Sequence, residues 1–231
     1  MKIRNIILKI NSYLVNLKFK MLFSSHYKLK HYILLNIRIF GIKNNSLIGN
    51  NGSIKKCIIT FIGNNNCIIS NGHISKSCIK INGHNNTIEL QENTHINNTT
   101  IFVKGENCHI KIGKATTIGS SYLVCMGNKN SITIGEDCML ADNIEIWSSD
   151  THPIININNE VINPSQPINI GNHVWIGKYS KILKGVTIGS NAITGMGTVV
   201  TKNIAPHTLN VGIPNQTIKT NINWERQHIT I

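Results

Sequence analysis

The sequence contains few aromatic residues, 6% of its 231 residues, and only five prolines. This scarcity is unusual for a compact α/β enzyme, whereas the abundant Ile and Asn suit a fold of short stacked strands joined by tight turns. The sequence also lacks any run of 18 apolar residues, so it contains no candidate for a membrane-spanning helix. Its length is sufficient for one substantial domain with its own core.

Acidic residues are missing from the first part of the chain. Residues 1–88 hold 13 Lys or Arg and no Asp or Glu, whereas residues 89–231 hold 10 of each. The net charge of +13 therefore lies entirely in residues 1–88. A field of one sign attracts anionic partners, so by charge alone an acidic polysaccharide, an anionic membrane surface and a nucleic acid are all candidates. We expect a sugar or polysaccharide and no nucleic acid. A solvated basic end without a partner is the alternative.

The six cysteines show no Cys-x-x-Cys pairing. Several adjoin Ile in strand-like runs, as in Asn66-Cys67-Ile68-Ile69, which favours small buried thiols in a reducing compartment. The first residues, Met1-Lys2-Ile3-Arg4, are interrupted by charge too regularly for a signal peptide. The sequence therefore predicts a cytoplasmic protein.

A six-residue period is present in the second half of the chain. Small or β-branched residues stand two positions before each periodic residue, and glycine often follows it. Three short strands of this length can close one triangular coil with the periodic side chain inside. The period predicts an all-β solenoid. The periodic residues are Ile170, Ile176, Ile182, Ile188, Thr194 and Val200.

A looser repeat precedes the regular one. Glycine-led blocks rich in Asn begin at Gly49, Gly63, Gly83, Gly105 and Gly127, and the last four recur every 20 to 22 residues. Gly and Asn tolerate left-handed backbone conformations, so each block is expected to turn a corner into a new strand. We predict one solenoid over residues 46–205, irregular up to residue 147, with residues 206–231 as a tail packed on it. A separate β domain over the irregular part is the alternative.

Residues 1–45 differ from the rest. Ile6, Ile7, Ile10, Leu14 and Leu17 lie at helical spacing with Lys and Arg between them, which indicates a basic amphipathic helix. Such a helix can associate peripherally with a membrane, pack on a neighbouring subunit or cap the open end of the solenoid.

A polar insertion, residues 148–167, interrupts the repeat between Trp147 and Ile168. Long loops that leave a compact repeat are often functional. This loop contains Asp150-Thr151-His152-Pro153, and an imidazole suits the role of general base for a hydroxyl nucleophile. Asp150 either orients the ring or only keeps the loop soluble.

Four segments carry the most specific motifs: residues 134–141, 147–154, 167–177 and 186–202, the second with Asp-x-His-Pro and the third with Val-Trp-Ile-Gly. Together they resemble the hexapeptide-repeat O-acetyltransferases, in particular those that acetylate sugars of bacterial capsules and O-antigens, including sialic-acid capsules. The resemblance implies a left-handed parallel β-helix that transfers acetyl from acetyl-CoA directly to a sugar hydroxyl without a metal. It also implies a homotrimer with sites between subunits.

The resemblance also implies residue roles. His152 is the expected general base, with Asp150 beside it. Trp175 lines the site and stacks on the sugar or the pantetheine arm, and an anchor at a subunit interface is the alternative. The turn at residues 211–215 is expected near the nucleotide. The expected groove for acetyl-CoA is lined by Trp175, Gly177, Ser180, Gly195, Met196, Gly197 and Lys202.

Other functions fit these residues less well. Carbonic anhydrases of the γ type share the expected fold but need three His ligands on facing coils, two of them five residues apart. The only such pair, His26 and His31, lies in the basic N-terminal segment, and His73, His84 and His95 recur out of phase with the six-residue period. An N-acetyltransferase acting on an amino sugar and a non-catalytic glycan-binding solenoid remain as alternatives.

Overall fold

The computed structural model of the protein describes residues 27–31 and 33–227. These residues form short strands and no helix, and hence no helix that could cross a membrane. The strands are β1 (Tyr27–Lys30), β2 (Ile33–Leu35), β3 (Arg38–Phe40), β4 (Ser46–Asn50), β5 (Ser53–Lys55), β6 (Ile58–Ile62), β7 (Cys67–Ser70), β8 (His73–Ser75), β9 (Cys78–His84), β10 (Thr87–Leu90), β11 (His95–Asn97), β12 (Thr100–Glu106), β13 (His109–Ile112), β14 (Thr117–Ile118), β15 (Ser121–Asn128), β16 (Ser131–Ile134), β17 (Met139–Leu140), β18 (Ile144–Trp147), β19 (Ile168–Ile170), β20 (Trp175–Ile176), β21 (Lys181–Leu183), β22 (Thr187–Ile188), β23 (Ile193–Thr194), β24 (Val199–Val200), β25 (Thr208–Val211) and β26 (Gln216–Thr220).

The strands form three sheets that make the sides of a triangular prism. Sheet I has the order β1-β4-β7-β10-β13-β16-β19-β22, sheet II the order β2-β5-β8-β11-β14-β17-β20-β23-β25-β26, and sheet III the order β3-β6-β9-β12-β15-β18-β21-β24. Neighbouring strands pair in parallel except β25 and β26. The predicted all-β fold, a left-handed parallel β-helix, is confirmed.

The number of residues per coil changes along the axis. Ile68, Ile88, Ile110 and Ile132 pair one coil apart in sheet I, so those coils hold 20 to 22 residues. Later coils are shorter, and Ile170 pairs with the residue 18 positions further on. One unit of the looser repeat therefore forms one coil, whereas three hexapeptide units form one coil of the regular part. Residues 46–147 form coils of the same solenoid as the regular part.

Glycine permits the longer coils to stack. Gly63, Gly83, Gly105 and Gly127 lie at the ends of the long strands of sheet III with φ between +110° and +137°. A Cβ atom on Gly83 would lie 1.8 Å from the carbonyl oxygen of Gly105. Only glycine combines this backbone conformation with so close an approach between coils.

The interior of the prism is a column of aliphatic side chains. Ile68, Ile88, Ile110, Ile132 and Ile168 stack in sheet I and are completely buried. Each buried side chain of this size contributes about 1.5–3 kcal/mol. All six cysteines are free thiols and four of them are buried, as expected for small apolar residues. The interior is filled, so a ligand can bind only to the outer faces, edges and loops.

Buried asparagines hold the edge between sheets III and I. Oδ1 of Asn45 accepts hydrogen bonds from the backbone N–H and the amide of Asn66, and Oδ1 of Asn66 does the same for Asn86, all at 2.9–3.0 Å. In the next coil Cys108 takes this position and donates its backbone N–H to Asn86 at 2.9 Å. This asparagine ladder gives hydrogen-bond partners to polar groups that would otherwise be buried unpaired at this edge.

The ends of the solenoid differ from the predicted bounds. Strands begin at Tyr27, so part of the segment assigned to a helix forms coils, with Leu34 and Ile42 buried in the core. Gly41, with Asn44 and Asn45 after it, turns the corner of the first coil and lies 22 positions before Gly63. The helical spacing from Ile6 to Leu17 lies outside the described residues. At the other end β25 continues sheet II, β26 turns back, and residues 221–227 return over the solenoid.

Candidate active site

The insertion at residues 148–167 leaves the solenoid at the edge between sheets III and I, because β18 lies in sheet III and β19 in sheet I. It folds back on itself, with Ile155 and Val161 paired in an antiparallel bridge. At its base the Gln166 N–H donates to the carbonyl of Ser148 at 3.0 Å, and Ser148 is buried. The loop is thus anchored at its base and hydrogen-bonded along its length.

His152 lies in this loop with its side chain exposed. Its backbone N–H donates to the carbonyl of Asp150 at 2.8 Å, and its carbonyl accepts from Nδ2 of Asn163 at 3.0 Å. Among residues 27–31 and 33–227 no group hydrogen-bonds to its ring. The backbone is therefore held while a ring nitrogen stays available to accept a proton from a ligand.

The carboxylate of Asp150 binds partners other than the His152 ring. It accepts from Nζ of Lys184 at 2.5 Å and from Nδ2 of Asn163 at 2.8 Å. The hydrogen bond from Lys184, followed by that from Asn163, lowers the pKa of Asp150 below its ordinary value. Lys184 directly follows β21, so Asp150 ties the loop to sheet III. This geometry makes Asp150 an anchor of the loop rather than a group in contact with the imidazole.

Replacing Lys184 with Met is expected to lower kcat/KM for acetyl transfer about threefold to tenfold, because the loop that carries His152 loses its tie to sheet III. Asp150→Asn should cause a similar loss, and the double variant should lose little more than either single variant. Steady-state kinetics measure this, with Lys104→Met as an exposed control on sheet III. Fully additive losses would show that the two residues do not act as one anchor.

A depression of about 360 Å³ lies on sheet III at the base of the loop. Trp147 is partly buried there, with its Nε1 donating to Glu145 at 3.0 Å and its ring edge-on to Tyr122 at 5.4 Å. An aromatic surface beside fixed charges suits a sugar ring and its hydroxyl groups. The depression is lined by Glu145, Trp147, Ser149, Asp150, Lys181, Leu183 and Lys184.

Trp175 stands on the outer face of sheet II, between Met139 and Ile193 of the adjacent strands, with 37% of its surface exposed. Sheet II is the side of the prism opposite the edge that carries the loop. Trp175 and His152 of one protomer therefore lie on different sides of the solenoid.

Three of the predicted acetyl-CoA contacts are accessible. Met196 is 72% exposed, Lys202 is exposed, and a Cβ atom on Gly197 would meet nothing within 4 Å. Oδ1 of Asn215 accepts from the backbone N–H of Lys202 at 3.2 Å, so the turn at residues 211–215 is fixed beside that lysine. This part of the surface can accept a phosphate-bearing ligand.

The other predicted contacts are occupied by packing. Ser180 is completely buried and its hydroxyl donates to the carbonyl of Gly195 at 3.1 Å. A Cβ atom on Gly177 would lie 2.7 Å from the carbonyl oxygen of Thr194, and one on Gly195 would lie 2.7 Å from Val211. Ser180 and Gly177 therefore serve the close stacking of coils, and a contact of either residue with acetyl-CoA stays a prediction.

Residues 222–227, here called the C-terminal clasp, lie along the edge between sheets I and II. The ring of Trp224 is stacked on that of His173, with centroids 4.2 Å apart, and its Nε1 donates to the His173 carbonyl at 2.8 Å. Trp224 is only 5% exposed, and its ring centroid lies 6.0 Å from that of Trp175. The sequence predicted a tail packed on the solenoid over residues 206–231 but none of these contacts, although Ile222 and Trp224 alternate with polar residues as in a half-buried strand.

Asp137 joins the clasp to the solenoid. Its two carboxylate oxygens lie 2.7 Å from Nδ1 of His173 and 2.6 Å from Nε of Arg226. Nε2 of His173 faces the carbonyl of Trp224 at 2.9 Å, so both ring nitrogens lie within hydrogen-bond distance of an oxygen. Burial acts to raise the pKa of Asp137, but the hydrogen bonds from Arg226 and His173 outweigh it and the pKa is lowered.

Asp137→Asn is expected to reduce the free energy of unfolding in a pH-dependent way. A carboxylate with a lowered pKa stabilises the fold above its ordinary pKa, near 3.9, and this contribution is lost as the pH falls through the lowered value. The difference between wild type and variant should thus be largest at neutral pH and disappear in strong acid. Urea titrations at several pH values measure it, and a difference that is constant with pH would contradict the ion pair.

Comparison with known proteins agrees with this fold. Residues 167–202 match the family model described as Bacterial transferase hexapeptide (six repeats). The structure of the polysialic acid O-acetyltransferase OatWY is similar over 88% of this chain and 92% of its own, with 32% identity and a TM-score of 0.59. The chain belongs to the hexapeptide-repeat acetyltransferase family. A second member, the polySia specific acetyltransferase NeuO, is similar over 87% of this chain and 88% of its own, with 29% identity and a TM-score of 0.68.

Similarity to curated members of the family is confined to a shorter region. The galactoside O-acetyltransferase of Escherichia coli (strain K12) is 39% identical over 87 residues, which are 36% of this chain and 41% of that protein. The chain matches 35–41% of the length of such relatives. The matched family model begins at residue 167, so it does not include His152.

Proposed function

We propose that the protein is an acetyl-CoA-dependent O-acetyltransferase that acts on a hydroxyl of a bacterial surface sugar or polysaccharide. The observation that carries the proposal is His152, an imidazole without a hydrogen-bond partner in the described chain, on an anchored loop that projects from the solenoid. One of the two similar full-length structures is named as a polysialic acid O-acetyltransferase, which favours a hydroxyl over an amine as acceptor.

In this proposal His152 is the general base for direct transfer. A ring nitrogen takes the proton of the acceptor hydroxyl as the hydroxyl oxygen attacks the thioester carbonyl carbon. The tetrahedral intermediate then breaks its carbon–sulfur bond, and the leaving sulfur receives the proton from the imidazolium. The products are an acetyl ester and free CoA. This route needs neither a metal nor an acyl-enzyme.

We also propose that the active unit is a homotrimer in which each site is shared by two protomers. His152 lies at the edge between sheets III and I, whereas Trp175 lies on sheet II, so one protomer cannot bring them together. A threefold rotation that places sheet II of one copy beside the loop of the next would unite them in a closed ring.

The outer surface of the loop fits this arrangement. It bears a group of aliphatic side chains that are at least half exposed in the single chain, although the loop is hydrogen-bonded. A contiguous apolar surface on an ordered segment is typical of a protein contact. We propose that this apolar surface of the loop packs against a neighbouring protomer. The residues are Ile154, Ile155, Ile157, Val161 and Ile162.

The acceptor is proposed to be anionic. Residues 27–88 carry eight Lys or Arg and no Asp or Glu. All eight cations are exposed, and none forms an ion pair within the described part of the chain. Both full-length structural relatives are named for polysialic acid, an anionic polymer. A field of this sign would speed the encounter with such a chain and weaken as salt is added.

Release of free thiol from acetyl-CoA tests the function. The full-length protein is assayed with acidic and neutral bacterial polysaccharides at low and high salt. We expect turnover with an acidic glycan, a product acetyl group that mild alkali removes as an ester, and a rate that falls with salt. An alkali-stable product would identify an amide and an N-acetyltransferase. Failure to bind acetyl-CoA would favour a non-catalytic glycan-binding solenoid.

We propose a cytoplasmic location, since all six cysteines are free and acetyl-CoA is an intracellular metabolite. Peripheral membrane association through a basic N-terminal helix remains a proposal as well, because that segment lies outside the described residues.

A further inference from the structure

We propose that the C-terminal clasp positions Trp175 for acetyl-CoA, so that Trp224 and Arg226 are positioning residues of the acyl-donor site. This inference rests on the proposed function, and in particular on Trp175 as a contact of acetyl-CoA. Trp175 has an exposed outer face and is flanked by Trp224, whose ring is tilted by 46° at a centroid distance of 6.0 Å. This distance and tilt lie in the range in which aromatic rings attract each other.

Trp224 can act as a support because its own position is fixed on every side. Its ring lies nearly parallel to that of His173, at 12°, and its Nε1 and its carbonyl oxygen are both hydrogen-bonded to that residue. Arg226 also lies near its ring, with the guanidinium carbon 5.7 Å from the centroid. These contacts and its 5% exposure restrict the movement of the Trp224 ring.

Arg226 fixes the clasp to two adjacent coils. Its Nε donates to Asp137, its Nη1 to the hydroxyl of Thr117 at 3.1 Å, and its Nη2 to the carbonyls of Cys138 at 2.8 Å and Ala115 at 3.3 Å. The planar guanidinium uses most of its donors in one fixed geometry, which lysine cannot reproduce. The far end of the clasp is thereby fixed to the solenoid, and Trp224 is fixed with it.

The clasp touches Trp175 on the side that faces the edge between sheets I and II. His173, which Trp224 covers, lies two residues before Trp175 and turns the chain into β20 with φ +52°. The backbone that carries Trp175 and the ring beside it are therefore held by the same contacts. If the clasp is released, Trp175 gains freedom that binding of acetyl-CoA must then remove.

The test compares Trp224→Ala, Trp224→Phe and Arg226→Lys in the full-length protein. We expect Trp224→Ala and Arg226→Lys to raise KM for acetyl-CoA, and Kd for CoA measured by calorimetry, about three- to tenfold. The expected change in kcat and in KM for the glycan is less than about twofold, because the clasp contacts Trp175 and, within the described part of the chain, forms no contact with His152 or its loop. Trp224→Phe should restore most of the affinity, since it keeps an aromatic ring beside Trp175.

Glu225→Ala is the matched control, because Glu225 is an exposed residue of the clasp whose side chain forms no ion pair within the described residues. Equal Kd for CoA in wild type, Trp224→Ala and Arg226→Lys would overturn the inference, and so would an equal fall of kcat in all variants. Wild-type protein that binds no CoA would instead refute the proposed function. If the folded wild type binds CoA and the variants bind it equally well, only the inference about the clasp fails and the proposed function stands.

Discussion

His152→Ala is expected to lower kcat for acetyl transfer at least about a hundredfold, because removal of a general base typically costs a factor of 10² to 10⁴. The hydroxyl acceptor cannot lose its proton in time without a base, and in the described residues no second imidazole lies in the projecting loop. KM for acetyl-CoA should change little, because the proposed role of His152 is to take the proton of the acceptor and not to bind acetyl-CoA.

The measurement is thiol release with the glycan that gives turnover with wild type. His84→Ala is the matched control, since His84 is an exposed histidine at the end of β9, several coils from the loop. It should retain the wild-type rate. A His152→Ala variant with more than about a tenth of the wild-type kcat would exclude His152 as the base, given the size of general-base effects.

Asn66→Ala is expected to reduce the free energy of unfolding by about 2–4 kcal/mol, since each buried polar group left without a partner costs about 1–3 kcal/mol. The backbone N–H and the side-chain amide of Asn86 both donate to Oδ1 of Asn66, and both lose this acceptor in the variant. Asn66 itself is 1% exposed, so water reaches the gap poorly.

Urea denaturation followed by circular dichroism measures this loss. Asn64→Ala is the control, because Asn64 is an exposed residue of the same corner with one long side-chain contact of 3.4 Å to Asn44. We expect its effect to remain within about 0.5 kcal/mol. Equal effects of the two substitutions would show that the asparagine ladder contributes nothing specific to stability.

Periodicity made the fold predictable. The six-residue spacing from Ile170 to Val200 and the glycine-led blocks before it are local patterns, and each pattern specifies strands and corners without help from distant residues. The helix predicted for residues 1–45 rests on the spacing of Ile6 to Leu17, yet residues 27–45 form coils in which Leu34 and Ile42 are buried. The helical spacing ends at Leu17 and therefore carries no information about the residues from Tyr27 onward.

The candidate site was predictable only where it interrupts that pattern. The insertion at residues 148–167 predicts a loop, and His152 is the histidine that lies in it. The partner of Asp150 was not predictable in the same way, because Lys184 lies 34 residues further along the chain and approaches only after a full coil has closed. Ser180 looked like a groove residue, but the coil that follows it buries its side chain.

The sequence by itself determined the solenoid, its length in coils over the regular part, and the position of the histidine loop, because short-range periodicity controls strands, corners and interruptions. Only the tertiary structure decided which side of the prism each side chain occupies and which distant residues meet. Arg226 pairs with Asp137 from 89 residues away, and Trp224 stacks on His173 to reach Trp175. Such contacts depend on the number of residues in every intervening coil and on the return path of the chain end, and no local pattern encodes either.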